Sequence, residues 1–500
     1  MASKLGKYDS LIKTALDEAK KNDVYAILRL EDAKAVSVTM IDGKTEDKAA
    51  MPLKGIGISV FTKDGAAGFA STSRLDEENV KQAVSVASNL AKNSAKYDDV
   101  KRNKEIFDVS PLKGEFLQKT EYCLNFKTSD EIEEIVRGLN KETKRLDGRA
   151  LVKTIYVCVE DEWRVARTDG TDVTFNMPRS RILSYLTLKE GSKVSETYFK
   201  VQGIDLGVIL NEEPKNIYDK RAKKAASLVS ELMNAGTMKG GHYKALLSYL
   251  FAGLNAHEAV GHAFETDDLK NSIVGIEGKL RKGEKVAPEN ISFIDGPVEG
   301  LWGNQFISAN GIERKTVEFI KNGIIADALS DVFSAKEAGV SINGCGRAQT
   351  YTKIPICRMS VTRMVDNSPY AFEKSSLEDV TLDEIYELLI KHDELKPGET
   401  IVYPVIGMGG QVNPAEGSFV FNCAGIYTIE NPKKITLYKQ AIFSGNTLKT
   451  IATRAKGIGP VIIDDSGTCG KAHQGAPTSL GGNLFFVLDK TDNITFGGGQ

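Results

Sequence analysis

One segment of the chain restricts its own backbone: His257-Glu258-Ala259-Val260-Gly261-His262, a His-Glu-x-x-x-His. Two imidazoles flanking a carboxylate, on a mostly apolar run, suit a metal ion and a general base. The familiar zinc helix spaces its histidines i and i+4, about 40° apart around the axis. Here they are i and i+5, and at about 100° per residue they diverge by roughly 140°. A straight α-helix cannot aim both rings at one ion. The spacing therefore predicts a π-turn, or a bend at Gly261, within a helix over 246–265.

Two histidines need a third ligand. With five histidines in 500 residues, the choices are few. His242 precedes the strand that leads into the helix, and His392 lies in a polar stretch. Near the C-terminus, Gly467-Thr468-Cys469-Gly470-Lys471-Ala472-His473 offers Cys469 and His473. Glycines around Cys469 read as a loop that lets a thiolate approach an ion, and two imidazoles with one thiolate form an accepted zinc set. Glu265 and Asp267 are acidic alternatives. Spacing leaves Cys469, His473 and these acids all open.

Around this motif the sequence predicts an α+β protein. Residues 1–238 read as an N-terminal domain holding two copies of a helix–sheet–helix unit, about 1–95 and 127–238. The first copy has helices over 5–21 and 76–92, with strands over 24–30, 35–41, 55–61 and 65–71 between them. The second has helices over 129–145 and 216–233, with strands over 152–160, 162–167, 182–189 and 193–201. Asp42-Gly43 and Asp169-Gly170 mark a hairpin in each. Residues 94–128 show no clear period and read as a long connection. A glycine-rich junction at 234–241 separates this half from residues 239–500, read as a β-rich catalytic domain that carries the metal helix. Asn322-Gly323 marks a hairpin there, and Gly481-Gly482 reads as punctuation between strands.

Composition excludes several function classes. The 65 basic residues stand against 67 acidic ones, a net charge of −2, so no general basic face for nucleic acid is expected. The longest strongly apolar stretch, about 245–256, is far short of the ~18 residues of a membrane span. Six scattered cysteines without a CxxC pair, and an N-terminus without an apolar signal segment, predict reduced thiols in a cytoplasm.

Several separated motifs, in order, carry a family resemblance. His257 to His262 is followed by Phe264-Glu265 and Asp268. Gly346-Arg347 comes next, then Gly409-Gly410-Gln411-Val412-Asn413-Pro414 with Gly417-Ser418-Phe419, then Gly467 to Lys471. This half resembles the TldD/PmbA family of metallopeptidases, on its TldD-like, motif-bearing side. The N-terminal half is similar in layout more than in residues. The resemblance implies one zinc per subunit held by His257, His262 and Cys469, with Glu258 as the catalytic base. It implies a dimeric partnership, with itself or with a PmbA-type subunit lacking the motif. It also brings an older label, modulator of DNA gyrase, which the charge balance does not support as direct DNA contact. His473 departs from the small or polar residue expected there.

The expected reaction is hydrolysis of short or unfolded peptides in an enclosed site, with Glu258 taking the proton of a metal-activated water. Arg347 is a candidate oxyanion contact, its alternative being a salt-bridged or surface arginine. A regulatory scaffold with a structural metal would not need an acid beside its ligand. A metal-dependent amidase acting on small molecules would share every site residue.

Overall fold

The computed structural model describes residues 3–97 and 99–498. Its first half is one sheet built from both copies of the sequence unit, antiparallel except where β4 runs parallel to β6. The first copy runs α1 (Asp9–Lys21), β1 (Tyr25–Ile41), β2 (Lys44–Phe61), β3 (Ala67–Thr72) and α2 (Glu77–Ser94). A short strand, β4 (Lys113–Phe116), follows. The second copy runs α3 (Ser129–Leu146), β5 (Leu151–Arg167), β6 (Asp172–Asn176), β7 (Arg179–Glu190), β8 (Lys193–Gly203), α4 (Gly207–Leu210) and α5 (Glu212–Asn234). The strand path is β3-β2-β1-β5-β7-β8, with β6 and β4 extending from β5. The two copies meet where β1 and β5 pair antiparallel, Ile27 opposite Arg167 through to Ile41 opposite Lys153.

Each copy packs its helices on the sheet through small and branched residues, with Ala15, Val84 and Ala87 in one core and Ile132, Val136 and Val229 in the other. Asp42 and Gly43 both take positive φ, 47° and 78°, in the tight turn joining β1 and β2. The four short strands expected over 24–41 and 152–167 are two long ones. Polar residues inside them suggested breaks, but Glu31 is a buried acceptor for the Tyr351 amide at 2.6 Å, and Asp161 accepts from Trp163 Nε1 at 2.7 Å. The segment read as a plain connection over 94–128 also holds β4 and two short 3₁₀ turns.

The second half centres on a twelve-stranded mixed sheet among the described residues. Lys244–Ser248 is an inner strand of it, antiparallel to Gln474–Leu488 and parallel to Thr400–Asn413. The helix expected from residue 246 therefore starts only at Tyr249. The apolar run 245–252 has no period that separates a buried strand from a buried helix, and sheet pairing decides it. Gly481 and Gly482 lie inside Gln474–Leu488 and not between strands. The helix crosses the strand there so closely that a Cβ on Gly253 would stand 2.6 Å from the Gly481 nitrogen. No described helix is long and apolar enough to cross a membrane.

Candidate metal centre

The chain leaves the central strand at Ser248 and turns through three helical forms in succession. Tyr249–Leu254 is α-helical, Asn255–Val260 is a π-helix, and Gly261–Phe264 is 3₁₀. The Gly261 amide donates to the carbonyl of Ala256, five residues back, and to that of His257. The wider turn brings residue i+5 back over residue i, which a regular α-helix would not do. The His257 and His262 rings consequently sit 5.2 Å apart between centroids, nearly perpendicular at 81°. A Cβ at position 261 would lie 2.1 Å from Met359 Sδ, so any other residue there forces that side chain to move.

The third group comes from the other end of the domain. Cys469 lies within the long strand Ala455–Lys471, whose hairpin partner is Gln474–Leu488. This corrects the loop expected from its flanking glycines: the turn falls instead at Ala472 and His473, both at positive φ. Cys469 Sγ stands 3.2 Å from His262 Nε2, and ligand atoms of His257, His262 and Cys469 all lie within 4.8 Å of one another. Cys469 is 7% exposed.

Each imidazole is oriented from behind. His257 Nδ1 lies 3.4 Å from Thr362 Oγ1, and that hydroxyl donates to Asp295 Oδ2 at 2.9 Å. Having spent its proton on Asp295, the Thr362 oxygen accepts, so His257 carries its proton on Nδ1. Its Nε2 is buried without a hydrogen-bond partner. His262 Nδ1 donates to Glu265 Oε2 at 2.9 Å, which turns its Nε2 toward Cys469. Glu265 also accepts from Lys471 Nζ at 2.9 Å, and the same ammonium reaches Asp267 Oδ1 at 2.6 Å. Fixing the tautomer through the far nitrogen is the usual support for a metal-binding histidine.

Electrostatics point the same way. Burial pushes the Cys469 thiol up, but His257 and His262 outweigh it and bring the thiol down to about 5. Burial pushes His262 down, while Glu265 and the Cys469 sulfur raise it well above an ordinary imidazole. Both shifts favour the thiolate at Cys469, the form that binds a metal ion. Bonds of about 2.0–2.3 Å at tetrahedral angles put zinc ligand atoms roughly 3.3–3.7 Å apart. The donor types, the orphaned His257 Nε2 and the 3.2 Å sulfur–nitrogen contact fit such an ion.

A cavity of about 580 Å³ opens on this cluster and is lined by His257, Glu258 and Cys469 at one end. Glu258 Oε2 is 3.6 Å from His262 Nε2, and its side chain is 32% exposed. The carboxylate therefore stands at the edge of the donor set, where a water or a substrate can reach it.

The remaining candidates lie elsewhere. Arg347 does not line the cavity. It is 3% exposed and donates to the carbonyls of Met359 and Pro477, both at 2.7 Å. It ties the Met359 segment to the strand that pairs with Cys469, so the oxyanion role expected of it is withdrawn. His242 and His392 line a separate cleft, with His392 stacked on Tyr370 at 4.1 Å between centroids. His473 is exposed in its hairpin turn. Glu265 supports His262 from behind, on the nitrogen away from Cys469. Thr362 and Asp295 had no sequence signal, since nothing local marks a residue that touches a histidine 105 positions away, or one that backs it through Thr362. Lys471 was visible as part of the Gly467–Lys471 motif, though not in this role.

Comparison with known proteins agrees with the fold and the motif region. Residues 240–475 match the PmbA/TldA metallopeptidase C-terminal domain, and residues 26–91 match PmbA/TldA metallopeptidase domain 1. A metalloprotease of Methanocaldococcus jannaschii is 27% identical, over 92% of this chain and 94% of its own length. A zinc metalloprotease TldD homolog of Saccharolobus solfataricus is also 27% identical, over 51% of this chain and 53% of its own. The crystal structure of TldE from Thermococcus kodakarensis superposes with a TM-score of 0.70 at 17% identity, covering 97% of this chain and 99% of that one. With both domain models matched and full-length relatives in register, the chain belongs to the PmbA/TldD metallopeptidase family.

Proposed function

We propose that the protein is a zinc-dependent peptidase in which His257, His262 and Cys469 hold one zinc ion per subunit and Glu258 is the general base. The observation that carries this reading is the convergence of two imidazoles and a thiolate beside a cavity, with His257 Nε2 buried and unpartnered. Bound there, zinc supplies a Lewis acid that polarises a scissile carbonyl and lowers the pKa of water from 15.7 toward about 7. Glu258 takes the water proton and returns it to the leaving amine. The Thr362–Asp295 and Glu265–Lys471 pairs hold the two imidazoles in the ligating tautomer. A purely structural site would bury its fourth corner in protein, whereas Glu258 faces open space.

The substrates we infer are short or unfolded peptides. The reactive cluster stands at one end of a cavity walled by α5, β8 and the C-terminal sheet, which excludes a folded domain. We further propose pairing with a like-folded subunit, a second copy or a PmbA-type paralogue, and a reducing cytoplasmic setting, to which the six free cysteines are suited. The test combines metal analysis with cleavage of one protein presented folded and unfolded, with and without the paralogue. Zinc near one equivalent and cleavage of the unfolded form alone are expected. A metal-free protein, or one that cuts both forms equally as a monomer, would overturn the reading.

A further inference from the structure

The cavity has a second end that the hydrolytic chemistry does not use. It extends from His257 and Cys469 to a wall formed by α5, the helix Tyr249–Leu254 and strands Thr400–Asn413 and Ser418–Glu430. On α5 the lining positions are Arg221, Lys224, Ala225, Ser227, Leu228 and Glu231, which share one broad helix face. Leu228, Leu250, Leu254, Val405 and Tyr427 all line the cavity and are only partly buried. They keep accessible apolar surface inside a concavity instead of in the core.

Arg221 and Lys200 on that surface are ion-paired, and Lys224 and Glu231 are hydrogen-bonded to neutral groups. Arg221 pairs with Glu378 and Asp464, and Lys200 pairs with Asp465. Lys224 donates to the carbonyls of Leu377 and Val380. Glu231 accepts from Ser227 at 2.7 Å and from the Tyr427 hydroxyl at 3.4 Å. A charged substrate side chain entering here would lose water, and of the charges on this wall only the exposed Lys224 and Glu231 lack an ion-pair partner among the described residues and could meet it. An apolar one would lose water and gain contact.

We propose that this end of the cavity is a specificity pocket that takes a bulky apolar side chain, aromatic or branched aliphatic, from a residue beside the scissile bond. The inference rests on the peptidase reading for the word scissile, while the pocket itself rests on the lining. Hydrophobic pockets discriminate about 10–200-fold per methylene at most, and a Phe or Leu differs from Ala by several carbons. A preference of at least about tenfold is expected.

The experiment uses peptides identical except for one central residue, Phe, Leu, Ala, Asp or Lys. Cleavage is measured with the zinc-loaded protein, and binding by calorimetry to zinc-loaded Glu258→Gln, which reads the pocket without turnover. Phe and Leu peptides should bind at least about tenfold more tightly than Ala and Asp peptides. Leu228→Arg in that background should erase the difference, and Leu228→Asn should reduce it, with zinc content and the thermal-unfolding midpoint equal to the parent's as proof of folding. Selective binding without cleavage, whether the paralogue is absent or present, would uphold the pocket and sink the peptidase reading. Cleavage or binding indifferent to the central residue would overturn the pocket and leave the peptidase reading standing, and no binding of any peptide would overturn the pocket.

Discussion

Asp295 never faces the donor cluster, yet its removal should be felt there. Its carboxylate accepts from Arg314 Nη2 at 2.6 Å, from the Ser360 amide at 2.9 Å and from Thr362 Oγ1 at 2.9 Å. The Asp295 and Arg314 side chains are 1% and 0% exposed. Asp295→Asn keeps the shape but leaves the Arg314 guanidinium charged and unpaired in the interior. Breaking a buried pair in this way costs about 3–5 kcal/mol, a large part of the about 5–15 kcal/mol that holds a domain folded. The second consequence is local. Thr362 loses its best acceptor, so its hydroxyl proton is free to turn toward His257 Nδ1. That reverses the tautomer and puts a proton on the nitrogen that should bind the metal. Loss of such a support typically costs 10- to 100-fold in metal affinity. Thr362→Val separates the effects, since it removes the hydroxyl and leaves the ion pair intact.

The assays are urea unfolding of the metal-free protein and zinc affinity by chelator competition. Asp295→Asn should lose both stability and affinity, and Thr362→Val chiefly affinity. The sign with pH follows from burial, which raises the Asp295 carboxyl, and from Arg314 and the hydrogen bonds, which bring it below its ordinary value. Its contribution is therefore fully present above the unfolded pKa of about 3.9 and is lost as pH falls through the lower folded value. An Asp295→Asn protein within about 1 kcal/mol of the parent, with unchanged zinc affinity, would refute the reasoning.

Glu258→Gln should retain zinc but lose at least about 100-fold in peptide turnover; substantial activity would point to another base. Cys469→Ala should lose zinc affinity and stoichiometry by metal analysis, and an unchanged metal content would remove the thiolate from the site. Glu265→Gln weakens the acceptor of His262 Nδ1 and leaves Lys471 with Asp267 alone, so zinc affinity should fall about 10- to 100-fold. Zinc binding equal to the parent's would make that support incidental. Gly261→Ala should destabilise by about 1–3 kcal/mol in thermal unfolding, because its Cβ must displace the buried Met359 sulfur; an unchanged midpoint would show that the packing yields.

Local and periodic features were readable from the residues alone. The i, i+5 spacing of His257 and His262 demanded a π-turn or a bend, because ring direction follows from residues per turn, and Asn255–Val260 is π-helical. The Asp42-Gly43 and Asn322-Gly323 turns were legible because few residues accept positive φ. The helices expected over 5–21, 76–92, 129–145 and 216–233 match Asp9–Lys21, Glu77–Ser94, Ser129–Leu146 and Glu212–Asn234. Tertiary structure decided what depends on distant pairing. Residues 245–248 became a strand because partners at 485–488 and 401–402 were available to satisfy their backbone. The long strand containing Cys469 formed for the same reason, and it brings a sulfur more than two hundred residues downstream to within 3.2 Å of His262. Arg347, Thr362 and Asp295 illustrate the limit most directly. A side chain's polar partner in a folded interior is set by which backbones cross nearby, and no pattern in the flanking residues encodes that crossing.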